Sequence, residues 1–138
     1  MTAHVLIVED SALVVGALRL LLVESGFRVS DAGTVSAAVD AIRREHPDLV
    51  LLDLGLRDGD GLRVLADVRG AGETLPVTVA VTGDDEPDTR ERCLRAGCRD
   101  VLVKPIRAME LPAQITGWLA ERTHGARARD TDSATDAG

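Results

Sequence analysis

At 138 residues the chain has the size of one ordinary domain, and 45% hydrophobic residues can fill a core. With one Trp, one Phe and no Tyr, that core has to be built from Val, Leu, Ile and Ala. A net charge of −7 argues against nucleic-acid binding by this domain alone, because that function leaves a basic footprint.

No export signal or membrane span is read. VLIV is too short and runs into acids, and the apolar segment 12–23 is interrupted by Arg19, so it reads as a buried helix in a cytoplasmic chain. Cys93 and Cys98 lack metal-like companions. They read as small buried filler, and no disulfide is expected.

The elements alternate along the chain. HVLIV (4–8) is a continuously apolar, β-branched run, as in a strand buried on both faces. Ser11 caps a helix to about Ser25, which Gly26 ends. FRVSDA (27–32) is a more polar strand suited to an edge. Thr34 caps a second helix, stopped before Pro47. DLVLLD (48–53) is the third strand. A Gly-rich loop leads to a helix over 61–69, and PVTVAVT (76–82) is the fourth strand. A helix follows over 85–96, then the strand DVLV (100–103) and a last helix over about 108–121, which either takes Pro112 into its first turn or starts later. Residues 123–138 lose their apolar side chains and read as a polar, disordered tail or linker, leaving 1–122 as the folded domain.

Five βα units imply an α/β fold with a parallel sheet and helices on both faces. In such sheets ligands collect at the carboxyl ends of the strands. The residues there are Glu9 and Asp10 after the first strand, Asp53 ending the third, Thr82 ending the fourth, and Lys104 after the fifth. Close carboxylates repel, so they invite a hard divalent cation with oxygen ligands. Mg²⁺ and one ammonium could then neutralise a phosphoryl group held on an acid, with Thr82 hydrogen-bonded to it. Lys104 is the only lysine of the chain, beside fifteen arginines. Its compact charge suits a narrow cleft better than a planar guanidinium does. Taken singly these residues read as a helix-start acid pair, a turn threonine and a solvated lysine. Their convergence on one rim favours a site.

VLIVEDS, LVLLDLGLRDGDGL, VAVTGDD and DVLVKPI together resemble the receiver domain of bacterial two-component response regulators, over residues 3–121. The resemblance implies a flavodoxin-like, doubly wound five-stranded sheet of order 2-1-3-4-5 with five flanking helices. It implies that Asp53 is the phosphoacceptor, Asp10 a direct Mg²⁺ ligand, Glu9 a ligand through water, and the Gly55 carbonyl a further ligand. Thr82 would be the switch hydroxyl and Lys104 the phosphate-binding lysine, with a cis bond to Pro105. The phosphoryl donor would be a sensor histidine kinase or phosphotransfer protein, and the product a switched surface for a protein partner or a phosphorylation-dependent homodimer. No membrane contact and no separate turnover enzyme are expected.

Two positions depart from the family pattern. Arg57 stands where proline is usual, which removes a fixed φ angle and predicts a more mobile loop. Val101 stands where an aromatic switch residue is usual, so the relay has to weaken or pass through the backbone after Thr82. The alternative readings are a receiver-like interaction module without phosphotransfer, and a phosphatase with an aspartate nucleophile. Against the second, Leu54 and Gly55 follow Asp53 without another acid. DGDG (58–61) has the look of a calcium loop but lacks the later ligands, and Gly55, Gly59 and Gly61 lack dinucleotide spacing.

Overall fold

The computed structural model describes residues 2–121. The expected tail, 123–138, lies outside the described residues. Five strands form one parallel sheet: β1 (His4–Val8), β2 (Arg28–Ala32), β3 (Leu49–Asp53), β4 (Val77–Thr82) and β5 (Asp100–Val103). Their order is β2-β1-β3-β4-β5, with β2 at one edge. The connecting helices are α1 (Ala12–Glu24), α2 (Val35–Glu45), α3 (Leu62–Gly70), α4 (Pro87–Ala96) and α5 (residues 111–121).

Strand periodicity divides the core in two. Leu6 and Val8 of β1, with Val50 and Leu52 of β3, face a layer holding Ala38, Val64, Val68 and Cys93. Val5 and Ile7, with Leu49 and Leu51, face Leu18, Leu22, Ile115 and Trp118 on the other side. Both central strands are buried on both faces, which is why they read as unbroken apolar runs. Trp118 closes the second layer at 7% exposure, and its indole N–H donates to Asp100 Oδ2 at 3.3 Å. Cys93 and Cys98 are both buried free thiols. Burial, followed by the neighbouring Cys93, pushes the Cys98 thiol up to about 12.

Capping sets the helix starts. Ser11 Oγ accepts from Val14 N–H (3.4 Å) and Thr34 Oγ1 from Ala37 N–H (3.0 Å). α4 starts at Pro87 rather than at residue 85, because Glu86, preceding proline, is held extended at φ −62°, ψ 138°. The last helix takes the later of its two possible starts. Residues Ala108–Glu110 form a 3-10 turn, and the α-helix over 111–121 takes Pro112 into its first turn, where a missing N–H costs nothing.

The segment after β3, expected as a plain loop, folds into a short antiparallel hairpin pairing Gly55–Leu56 with Gly59–Asp60. Its acids cap neighbouring helices. Both Asp58 carboxylate oxygens accept from Val35 N–H at 3.1 Å, and Asp60 Oδ1 accepts from Leu62 N–H at 3.0 Å. Arg57 N–H is bonded to Asp10 Oδ2 at 3.0 Å, which ties the proline-free turn to the β1 end. Gly61 then brings α3 against the end of β3. A Cβ there would lie 2.2 Å from the Asp53 carbonyl oxygen. Backbone cannot yield as a flexible side chain does, so Gly61→Ala should destabilise the fold by about 1–3 kcal/mol. A fall in the urea midpoint with an unchanged m-value would show it, whereas an unchanged midpoint would mean that the contact relaxes freely.

Candidate functional site

The carboxyl ends of β1, β3 and β4 adjoin in the sheet, so their terminal residues share one rim. Asp53, the last residue of β3, is buried, and so are Glu9 and Thr82; Asp10 is half-buried. One carboxylate oxygen from each of Glu9, Asp10 and Asp53 lies within 4.8 Å of the others. Lys104 Nζ is 3.2 Å from Asp53 Oδ2, and Gly55 N–H donates to Asp53 Oδ1 at 3.0 Å. Gly55, expected to offer a carbonyl, is thus joined to Asp53 through its amide. Thr82 Oγ1 accepts from Asp84 N–H at 3.1 Å, and Asp84 Oδ2 accepts from the Thr89 hydroxyl of α4 at 2.6 Å. Lys104–Pro105 is a cis peptide. Val101 is half-buried and packs against the α2–α4 side of the core.

The structure therefore gathers Glu9, Asp10, Asp53, Gly55, Thr82 and Lys104 at one end of the sheet. The cleft above Asp53, about 350 Å³, is also lined by Asp84, Thr89 and Arg92. Sequence reasoning did not single out these three. Residue 85 reads as the start of the following helix, but nothing in spacing alone places Asp84, Thr89 or Arg92 on this cleft. The larger cleft, about 600 Å³, lies at the opposite end of the sheet between Asp48, Thr78 and Arg99 and has no part in this cluster.

The electrostatics follow from the crowding. Burial, then the hydrogen bond with Asp53, pushes the Glu9 carboxyl up to about 7. For Asp53, burial is the largest influence and acts upward. The hydrogen bonds from Glu9, Gly55 and Lys104 outweigh it and hold the carboxyl below its ordinary range. One proton on Glu9 thus relieves the repulsion and leaves Asp53 ionised beside its ammonium. The donor set is all carboxylate oxygen, partly sheltered, and deficient in positive charge. It fits a hard divalent cation, with Glu9, Asp10 and Asp53 as the residues that would hold it.

A sequence model of the response regulator receiver domain matches residues 5–116. This chain belongs to that family. Its relatives include the KDP operon transcriptional regulatory protein KdpE of Escherichia coli (strain K12), 38% identical over 89% of this chain and 53% of the relative. The transcriptional regulatory protein KdpE of Mycobacterium tuberculosis (strain H37Rv) is 35% identical over 95% of this chain and 59% of its own length. The chain therefore spans little more than half the length of these curated relatives. Among solved structures, a two-component response regulator from Clostridium difficile superposes with a TM-score of 0.80 at 26% identity, covering 88% of this chain and 98% of that one. A CheY-like receiver domain protein from Methanospirillum hungatei JF-1 gives a TM-score of 0.80 at 24% identity, over 91% and 99% of the two chains. The fold is accordingly flavodoxin-like, with the expected strand order.

The Glu9 shift has a defined sign in stability. A carboxyl raised from 4.5 to about 7 binds its proton more tightly in the folded chain. Its stabilising contribution is full below about 4.5 and is lost as pH rises through 7. His4, lowered from 6.5 mainly by burial, acts oppositely in part of this range. The readout is therefore the difference from Glu9→Gln. In metal-free buffer, the stability of the wild type relative to Glu9→Gln should fall between pH 5 and pH 8. A pH-independent difference in urea midpoints would remove the proton from Glu9.

Proposed function

We propose that this domain is a phosphorylation-controlled switch that accepts a phosphoryl group on Asp53 from a sensor histidine kinase or a phosphotransfer protein. The observation that carries this reading is Asp53 itself: buried, ionised, 3.2 Å from the only lysine and open to a cleft beside Thr82. In the transfer the donor's N–P bond breaks and its electron pair stays on the histidine nitrogen. An Asp53 carboxylate oxygen forms the new O–P bond. Phosphoryl transfer asks chiefly for in-line positioning and for cations around the equatorial oxygens. Lys104 meets that need with an ammonium already at hand. Mg²⁺ held by Glu9, Asp10 and Asp53, with a Gly55 carbonyl as further ligand, would supply the remaining positive charge and orient the donor.

The switch then acts on α4. Thr82 Oγ1, drawn to a phosphoryl oxygen, releases Asp84 N–H. Asp84 is in turn bonded to Glu86 N–H (2.8 Å) and to the Thr89 hydroxyl (2.6 Å), so the first turn of α4 loses its anchor to the sheet. This path needs no aromatic rotamer at Val101. It favours the backbone route after Thr82 over a side-chain swing. The output is a changed surface for a cytoplasmic protein partner or a second copy, with no turnover chemistry beyond the domain's own phosphoryl gain and slow loss. A phosphate-blind interaction module would not need the full set of acids and lysine gathered at this end of the sheet.

Incubation with acetyl phosphate and Mg²⁺ should add one phosphoryl group per chain, seen as a single mass increment, and Asp53→Asn should abolish it. Equal labelling of the variant would place the acceptor elsewhere. Lys104→Arg keeps the charge and enlarges the cation. It should fold and bind Mg²⁺ as the wild type does, while losing the amide shifts around Thr82 that beryllofluoride induces. A full wild-type shift pattern in the arginine variant would show that any cation suffices there.

A further inference from the structure

The cleft over Asp53 carries a second cation. Arg92, on α4, lines it together with Asp53, Thr82 and Lys104. Its Nη1 lies 3.2 Å from Asp60 Oδ2, so an ion pair joins α4 to the hairpin beside the cleft. Both side chains are about half exposed, 57% and 42%. Arg90 and Arg95, the other arginines of α4 with ion pairs, engage Asp100 and Glu91 and do not line the cleft. Arg92 also contributes to keeping the Asp84 carboxyl ionised, behind the hydrogen bonds from Thr89 and Glu86. It therefore stands within reach of the segment that links Thr82 to α4.

We infer that Arg92 is a phosphate-binding residue that exchanges Asp60 for a phosphoryl oxygen once Asp53 is phosphorylated. The inference rests on the phosphoacceptor reading of Asp53. Three physical points carry it. An exposed pair such as Arg92–Asp60 is worth little, so it yields readily. A phosphoryl group brings close to two negative charges and three strong acceptors into the cleft. Lys104, a point charge, is already engaged at Asp53 Oδ2, while a planar guanidinium can take two phosphoryl oxygens side by side. The exchange would free α4 from the hairpin and fasten it to the phosphorylated strand end. It would work in the same direction as the loss of the Thr82–Asp84 bond.

The test is the affinity for beryllofluoride with Mg²⁺ at fixed ionic strength, by calorimetry or amide shifts. Arg92→Ala should weaken binding roughly three- to tenfold, the size expected of one partly exposed charge-assisted hydrogen bond. Arg92→Lys should recover part of the loss. Asp60→Asn keeps the oxygen that accepts from Leu62 N–H but discharges the competing partner, so it should tighten binding. Opposite signs for Arg92→Ala and Asp60→Asn are the signature, since a merely structural pair would give the same sign from either side. If the wild type binds and Asp53→Asn does not, yet both substitutions leave affinity unchanged or weaken it alike, this inference alone falls. If the wild type binds no better than Asp53→Asn, the phosphoacceptor reading falls and takes the inference with it.

Discussion

The arrangement of this domain turns on two acids, Glu9 and Asp53, buried against each other at the ends of adjacent strands. Parallel pairing of β1 with β3 brings them together, and the apolar layers above and below keep bulk water from screening them. Two adjacent buried carboxylates cannot both stay charged without help. The conflict is eased by a Glu9 carboxyl pushed up to about 7 and by Lys104 set 3.2 Å from Asp53. That arrangement favours the anionic form of Asp53 in contact with an ammonium, as the phosphoacceptor role proposed for it requires. It also leaves an unmet demand for positive charge. On the function proposed above, this one imbalance would draw both a divalent cation and a phosphoryl group to the same place.

Most of the fold could be read from the residues because hydrophobic period and punctuation agree. HVLIV and LVLLD are strands that are buried on both sides, and their unbroken apolar runs say so directly. Ser11 and Thr34 sit one residue before their helices and cap them as their side chains suggest. The misplacements occur where two local preferences compete. The acids from Asp84 to Glu86 look like a helix start, but Pro87 holds the preceding residue extended. The hairpin after β3 was hidden for a different reason. Its strands are two residues each, and its pairing depends on the contacts of Arg57, Asp58 and Asp60 with three other segments.

The candidate site divides along the same line. Residues at strand ends were legible because the topology of an open parallel sheet assigns them a common rim. Glu9, Asp10, Asp53, Thr82 and Lys104 needed only their element boundaries. Arg92 and Asp60 belong to a helix face and a hairpin, and which way such side chains turn depends on tertiary packing. Gly61 was legible as a helix start but not as a steric necessity. In the folded chain the Asp53 carbonyl occupies the space a side chain would take. The four residues DGDG illustrate how a motif can be right in composition and wrong in role. Their acids cap helices and pair with an arginine.

The chain has a single tryptophan, Trp118, and its indole is buried in the layer beneath α1 while its N–H reaches Asp100 at the start of β5. Asp100 also receives Arg90 of α4 at 3.3 Å, so this one carboxylate touches two helices and a strand. With no tyrosine in the chain, near-ultraviolet emission comes essentially from that one ring. The protein thus carries a native optical gauge at the junction of α4, β5 and α5. Its emission responds to the polarity and hydrogen bonding of this junction without any label, so conformational events in the domain can be followed in real time on unmodified material.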